Sequence, residues 1–373
     1  MYKCIVFTVH RLMQGFLREW MTSCDGLIQW REKSRQTSMR KHIYIAYTGG
    51  TIGMKPSAQG YVPAAGFLND TLASMPEFHR PEMPAFTLRE YSNLIDSSDM
   101  DPTHWQQIAD DIAANYDSYD GFIILHGTDT MAYTASALSF MLEDLSKPVI
   151  VTGSQIPLAE LRSDGQVNLL NALYIAANYP IAEVGLFFNN RLLRGNRSRK
   201  IDADGFNAFE SPNFPPLLEA GINIRLKAGE LAKPSTRPLS VSGVKAQPIG
   251  LVSLYPGISP AVLKNTLQQP VNALILLSYG VGNAPQTPAL LEQLNYARER
   301  EIPVLNCTQC LRGRVNMGGY ATGHGLLEAG VLSGSDMTPE AALAKLHYLL
   351  SKPLSFAQRK QALVANLRGE LSE

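Results

Sequence analysis

Cysteine is scarce in this chain: four in 373 residues, too few for a disulfide framework. Long apolar runs are missing too, and none approaches the roughly 20 residues that a membrane-spanning helix needs. Neither sign of charge is in excess, with 33 Lys plus Arg against 33 Asp plus Glu. That balance excludes a global field drawing the chain to nucleic acid or to an anionic membrane. The one C-x-x-C, Cys307 to Cys310, has no second pair and no His-x-x-x-His beside it. It reads as a reduced, partly buried pair rather than half of a zinc site, so no metal is expected.

What is present is ordinary for a soluble globular protein: 45% hydrophobic and 18% charged residues. The length suggests about two domains. The first 38 residues do not resemble the remainder. They carry a short apolar stretch without a signal-peptide cleavage site, and read as a tag, an extended start or a disordered extension, with Met39 as the working N-terminus.

From Met39 strands alternate with helices. "HIYIAYT", "GFIILH", "KPVIVT" and "EVGLFF" have the apolar continuity of buried strands. "WQQIADDIAANY", "TMAYTASALSFML" and "QVNLLNALYIAANY" have helical spacing. The polar stretch 229–248 reads as a linker, and a shorter alternation follows it. The expected class is α/β in two domains: a larger mostly parallel N-terminal sheet with flanking helices over 39–228, and a smaller C-terminal α/β domain over 249–373.

In open α/β sheets ligands bind past the carboxyl ends of the strands. The segments there are "TGGTIG", "SNLIDSSDM", "HGTDT", "TGSQIP" and "NNRLLRGNRSRK". "TGGTIG" is neither G-x-G-x-x-G nor a phosphate-binding G-K-[ST] loop, so a nicotinamide-dependent oxidoreductase lacks its fingerprint. Its paired glycines allow a sharp reversal and close approach, with Thr51 at the tip; a tight turn whose hydroxyl bonds only locally fits the same residues. Thr128 and Asp129 fall where a strand runs into a helix start, and there Asp129 is either an ordinary N-terminal carboxylate or a group held for a ligand. His126, ending an apolar strand, reads as a packed structural histidine. The arginines of "NNRLLRGNRSRK" read as a mostly solvated face, whereas Lys200 beside Asp129 could move a proton.

"YTGGTIGM" and "ILHGTDTMAYTASALSFML" together resemble the two signature segments of bacterial L-asparaginases of the cytoplasmic type I branch. The likeness runs through "VTGSQIPLAELRSDGQVNLLNAL", "SRKIDADGFNAFESPN", "SYGVGNAP" and "NMGGYATG", covering 39–373. It implies Thr51 as nucleophile, with Tyr61 on a loop that closes over the substrate, and Thr128, Asp129 and Lys200 completing catalysis. It implies that Asp96, Ser97 and Ser98 bind the amino and carboxylate groups of L-asparagine, joined by Gln155, Thr128 and Asp129. It also implies that Asn283 reaches a neighbouring subunit's site in a homotetramer, that the protein is cytoplasmic, and that no cofactor, nucleic acid or membrane is needed.

Some members of that family bind asparagine at a second, regulatory site walled by an arginine before Ser-Tyr-Gly. Here Leu277 takes that place, with Cys310 near it, so regulation in that form is not expected. Two other readings share the pocket chemistry: the amidase component of a glutamyl-tRNA amidotransferase, and a non-catalytic amino-acid binding protein. The first calls for a further folded domain and a basic face; the second has no use for Lys200 or Tyr61.

Overall fold

The computed structural model describes residues 40–372 apart from 59, 230, 269, 270 and 320. The reading of residues 1–38 falls outside them. The main sheet contains β1 (His42–Tyr47), β2 (Ala85–Glu90), β3 (Gly121–Leu125), β4 (Val149–Thr152), β5 (Val184–Phe188), β6 (Arg191–Arg194), β7 (Leu218–Ala220) and β8 (Ile224–Leu226). Their spatial order is β8-β7-β6-β5-β4-β3-β1-β2. Strands β2, β1, β3, β4 and β5 run parallel, while β6, β7 and β8 continue the sheet antiparallel. A smaller parallel sheet follows, ordered β9 (Ile249–Ser253), β10 (Ala273–Ser278), β11 (Val304–Thr308) and β12 (Leu332–Ser333).

Side-chain alternation assigns each strand two cores. From β1 and β3, Tyr44, Ala46, Phe122 and Ile124 point into one cluster, while Ile43, Ile45, Tyr47, Ile123 and Leu125 point into the other. The first is covered by helices α1 (Pro102–Asn115) and α2 (Met131–Met141), the second by α3 (Gly165–Asn178). A one-residue slip would exchange the two sets, so burial on both faces fixes the register. The smaller sheet divides likewise. Ala273 and Ile275 join the first cluster, together with helix α4 (Pro339–Leu350), while Leu274 and Leu276 face a third. Helices α2 and α4 thus lie in one continuous core between the sheets.

Asp101 caps α1, its carboxylate accepting Thr103 N and His104 N. The 229–248 connection is tied down along its length: Ser240–Val241 pairs with Leu142–Glu143, Ser235 N donates to Leu145 O, and Val244 is buried. Towards its end, Lys245 N and Gln247 N donate to Ser351 Oγ and His347 Nδ1.

Candidate active site

Three loops meet at the carboxyl ends of β1, β2 and β3, and glycine lets them meet. Past β1, Thr48 keeps the sheet going, with N and Oγ1 both donating to Leu125 O. Gly49 and Gly50 then adopt φ of 141° and 90°. A Cβ on Gly49 would lie 2.8 Å from Ile95 N, and one on Gly50 2.6 Å from Gly127 Cα. A Cβ on Gly127 would lie 2.7 Å from Ser97 Cβ. No L side chain fits in these gaps, so the turn lies backbone against backbone on its neighbours. Thr51 opens a short 3-10 turn, Thr51–Gly53, and is partly buried. A fourth loop, past β4, docks on it through Leu158 N donating to Ile52 O.

Beside this turn stand the polar groups. Lys200 Nζ donates to Thr128 Oγ1 at 2.9 Å and to Asp129 Oδ1 at 2.7 Å. Thr128 Oγ1 donates onward to Gln155 Oε1 at 3.1 Å, and Gln155 Nε2 to Gly205 O at 3.1 Å. The lysine side chain is 19% exposed and the aspartate 66%, so one end of the relay is sheltered and the other open to solvent. Asp129 and Thr130 precede α2, where free N–H groups offer donors to an anion.

His126 lies beneath, fully buried. One consistent tautomer has Nδ1–H donating to Gly127 O at 2.7 Å and Nε2 accepting from Thr134 Oγ1 at 2.8 Å, while Trp105 Nε1 donates to the same hydroxyl at 3.1 Å. Burial holds its pKa down at about 4, against the weaker upward pull of the Gly127 carbonyl. It is a neutral brace under the Gly127–Thr128 loop, as the sequence suggested.

The other expected residues fall at different distances from this centre. Asp96 Oδ1 accepts Ser98 N and Oγ, both at 2.9 Å, and Ser97 O accepts Thr130 Oγ1 at 2.7 Å. Asp96, Ser97 and Ser98 therefore belong to the cluster. Tyr61 sits on a hairpin, Met54–Ser57 against Gly60–Pro63, opposite Pro56 and half exposed. No hydrogen bond among the described residues joins it to Thr51, Thr128 or Lys200. Asn283, Leu277 and Cys310 lie at the smaller sheet: Asn283 closes a turn with Tyr279, Leu277 is the last residue but one of β10, and Cys310 is exposed beyond β11. Cys307 is buried, its thiol pushed up to about 12 by burial and by Glu340.

Two features escaped the sequence reading. The first is Asp164. It heads α3 but does not cap it; its carboxylate instead accepts Gln155 N, Ile156 N and Asn168 Nδ2, holding the Gln155 loop in place. An aspartate before a helix invites a capping assignment, which hides this role. The second is a correction. The arginines before Lys200 are not mostly solvated: Arg197 is 2% exposed and ion-paired to Asp336, and Arg194 is ion-paired to Glu183 with its side chain 13% exposed. A run of like charge carries no sign of the distant carboxylates that bury it. Among the described residues no group of three or more His, Cys, Asp or Glu is placed to hold a metal ion, and no helix is long and apolar enough to cross a membrane.

The family model described as "Asparaginase, N-terminal" matches residues 42–231, and "Glutaminase/Asparaginase C-terminal domain" matches 248–363. The chain is 66% identical over 333 residues to L-asparaginase 1 of Escherichia coli K12, spanning 89% of this chain and 98% of that one. Its fold matches L-asparaginase I from Vibrio cholerae with a TM-score of 0.85 and 67% identity, over 90% of this chain and 100% of the other. The L-asparaginase of Thermococcus kodakarensis is more distant, at 34% identity over 339 residues, which cover 88% of this chain and 99% of that protein. The chain, two-domain α/β fold included, belongs to the asparaginase family.

Proposed function

We propose that the protein is an L-asparaginase, hydrolysing L-asparagine to L-aspartate and ammonia through a β-aspartyl ester on Thr51. The observation that carries this reading is the Lys200–Thr128–Gln155 relay beside Asp129, set against the glycine-packed turn that presents Thr51. An amide carbon is a poor electrophile and a neutral hydroxyl a poor nucleophile, so the site must activate one and stabilise charge on the other. Thr51 Oγ1 attacks the side-chain amide carbon, the C–N bond breaks, and the threonine proton leaves with ammonia. Tyr61, on its exposed hairpin, closes over the substrate, and either its hydroxyl or the Lys200 relay carries that proton. Backbone N–H groups at the head of α2 take the oxyanion, a contribution of ~3–4 kcal/mol in comparable acyl transfers.

Water then attacks the ester. Its proton passes to Thr128 Oγ1 as Thr128 gives up its own along the Lys200 relay, and Thr51 regains a proton as aspartate leaves. Asp96, Ser98 and Asp129 hold the substrate's amino and carboxylate groups, and Gln155 fixes the Thr128 hydroxyl. We place the protein in the cytoplasm as a homotetramer, a dimer of dimers in which Asn283 approaches the neighbouring subunit's site.

The test is ammonia release from L-asparagine and L-glutamine by the intact chain and by Thr51→Ala. Rapid release from asparagine, slow release from glutamine and none from the variant support the reading. Release that survives Thr51→Ala moves the nucleophile to Thr128. Asparagine that binds without release makes the protein a binding module instead.

A further inference from the structure

The segment carrying Lys200 is gripped from two sides. On one side Gly195 lies against α2 and β5, where a Cβ would stand 2.9 Å from Ala135 O and 3.0 Å from Val184 O. On the other, residues 366–372 cross it as a strap. Arg197 donates from Nη1 to Asp336 Oδ2 at 2.9 Å, from Nε to Gly369 O at 2.6 Å, and from Nη2 to Ser372 Oγ at 3.2 Å. Asp336 also accepts Ser372 N at 2.8 Å and Oγ at 2.7 Å, tying the strap to the same carboxylate. Asn196 Nδ2 adds a bond to Arg368 O at 3.0 Å.

The strap is itself pinned by a fully buried ion pair, Lys345 Nζ to Glu370 Oε1 at 2.6 Å. That carboxylate accepts Leu367 N at 3.0 Å and Arg368 N at 2.7 Å. Burying two charges adds little net stability; what this pair fixes is the path of the backbone. From Arg197 to Lys200 the path is short and stiff. Ser198 Oγ donates back to Gly195 O at 2.7 Å, and Arg199–Lys200 pairs with Phe209–Glu210. A displacement of Arg197 therefore passes to the lysine, whose Nζ donates at 2.9 and 2.7 Å.

We propose that Arg197 is a positioning residue for Lys200, and that residues 366–372 are the strap through which it acts. The proposal rests on the role given to Lys200 above: it assigns the strap to ester hydrolysis, the half-reaction that the Thr128–Lys200 relay serves. Arg197 touches neither substrate nor reacting atom.

The experiment separates the two half-reactions in the full chain, comparing the intact protein with Arg197→Ala. The expected result is a fall in kcat of about tenfold or more, the scale of a misplaced proton-transfer group, with KM falling alongside it so that kcat/KM changes less than about threefold, because ester formation is untouched. Ammonia should appear in a burst of about one equivalent, and acid-quenched enzyme should carry an aspartyl group on Thr51. Hydroxylamine, which needs no base, should capture that ester: its nitrogen bonds the acyl carbon, the bond to Thr51 Oγ1 breaks, and β-aspartyl hydroxamate forms. Product formation should then recover toward the intact rate.

Unchanged kcat, or a fall with no burst and no hydroxylamine recovery, overturns the proposal, because general destabilisation slows both half-reactions alike. Ser372→Ala, a smaller change at the strap's far side, carries the same test if Arg197→Ala does not fold. It should show the same pattern at about two- to tenfold, because the hydroxyl's bonds to the Arg197 guanidinium and the Asp336 carboxylate are lost while the rest of the strap stays; normal turnover overturns the idea. If the intact chain releases no ammonia from asparagine, the proposed function itself fails and takes this assignment with it.

Discussion

The two sheets end in loops of similar kind and opposite outcome. At the carboxyl end of the main sheet, four loops brace one another through the backbone and through a threonine hydroxyl, as when Leu158 N bonds Ile52 O and Thr130 Oγ1 bonds Ser97 O. At the end of the smaller sheet, Thr308 Oγ1 bonds Gly280 O and Asn306 Nδ2 bonds Gly282 O, much the same device. Yet there the tips present Val281, Cys310 and Leu311 to solvent. Parallel topology supplies a ledge in both places. What turns one ledge into a site is a lysine-carboxylate pair next to a backbone packed too tightly for any side chain.

The largest expected effect comes from breaking that packing. Gly50→Ala places a methyl against the Gly127 backbone at a φ that L residues avoid. Steady-state assay should show kcat/KM down about 100-fold or more, the loss expected when reacting groups shift by about 1 Å. Thermal unfolding should register a destabilisation of about 2–4 kcal/mol. Gly280→Ala is the matched probe on the other sheet. Its φ is 49° with nothing within 4 Å of the added methyl, so it should cost only about 1 kcal/mol and lower turnover far less than Gly50→Ala does. Equal losses at both glycines would erase the distinction between the ledges.

A smaller effect sharpens the role of the buried layer. His126 has a folded pKa of about 4 against an ordinary 6.5. A depressed pKa means that the unfolded chain binds more protons between those values, so its stabilising contribution is full above pH 6.5 and is lost as pH falls through 4. The linkage amounts to about 3 kcal/mol over that window. Denaturant unfolding between pH 7 and 4 should therefore show a slope that His126→Gln flattens. An unchanged slope would mean that the acid sensitivity belongs to other groups.

Much of this was legible beforehand, for identifiable reasons. The strands and their two-faced burial follow from apolar continuity. The fold rule directs attention to Thr51, Thr128 and Asp129, which follow strands, whereas Lys200, itself in the short strand Arg199–Lys200, and the roles of all four came from the family resemblance. Arg197 and Asp164 could not be named. Arg197 owes its burial to Asp336 and Ser372, more than a hundred residues away, and Asp164 serves a loop that precedes it rather than the helix it heads. Local sequence reports a residue's own element well, and reports poorly which distant carboxylate will neutralise it.

The smallest expected effect concerns the quiet ledge. Leu277 stands where an arginine would supply five donors to a carboxylate, and it instead packs its side chain against the core between the sheets. Its carbonyl is already engaged by Gln309 Nε2 at 2.8 Å. Cys310 N is likewise bonded, to Thr308 Oγ1 at 3.0 Å, which leaves an exposed thiol as the main feature of that tip. A zwitterionic amino acid would find no fixed cation in that pair of residues. Initial rates against asparagine concentration should accordingly fit a hyperbola for the intact chain. Sigmoidal rates that become hyperbolic in Cys310→Ser would show that the smaller sheet holds a second asparagine site without the arginine, and the contrast between the two ledges would then be one of affinity rather than of kind.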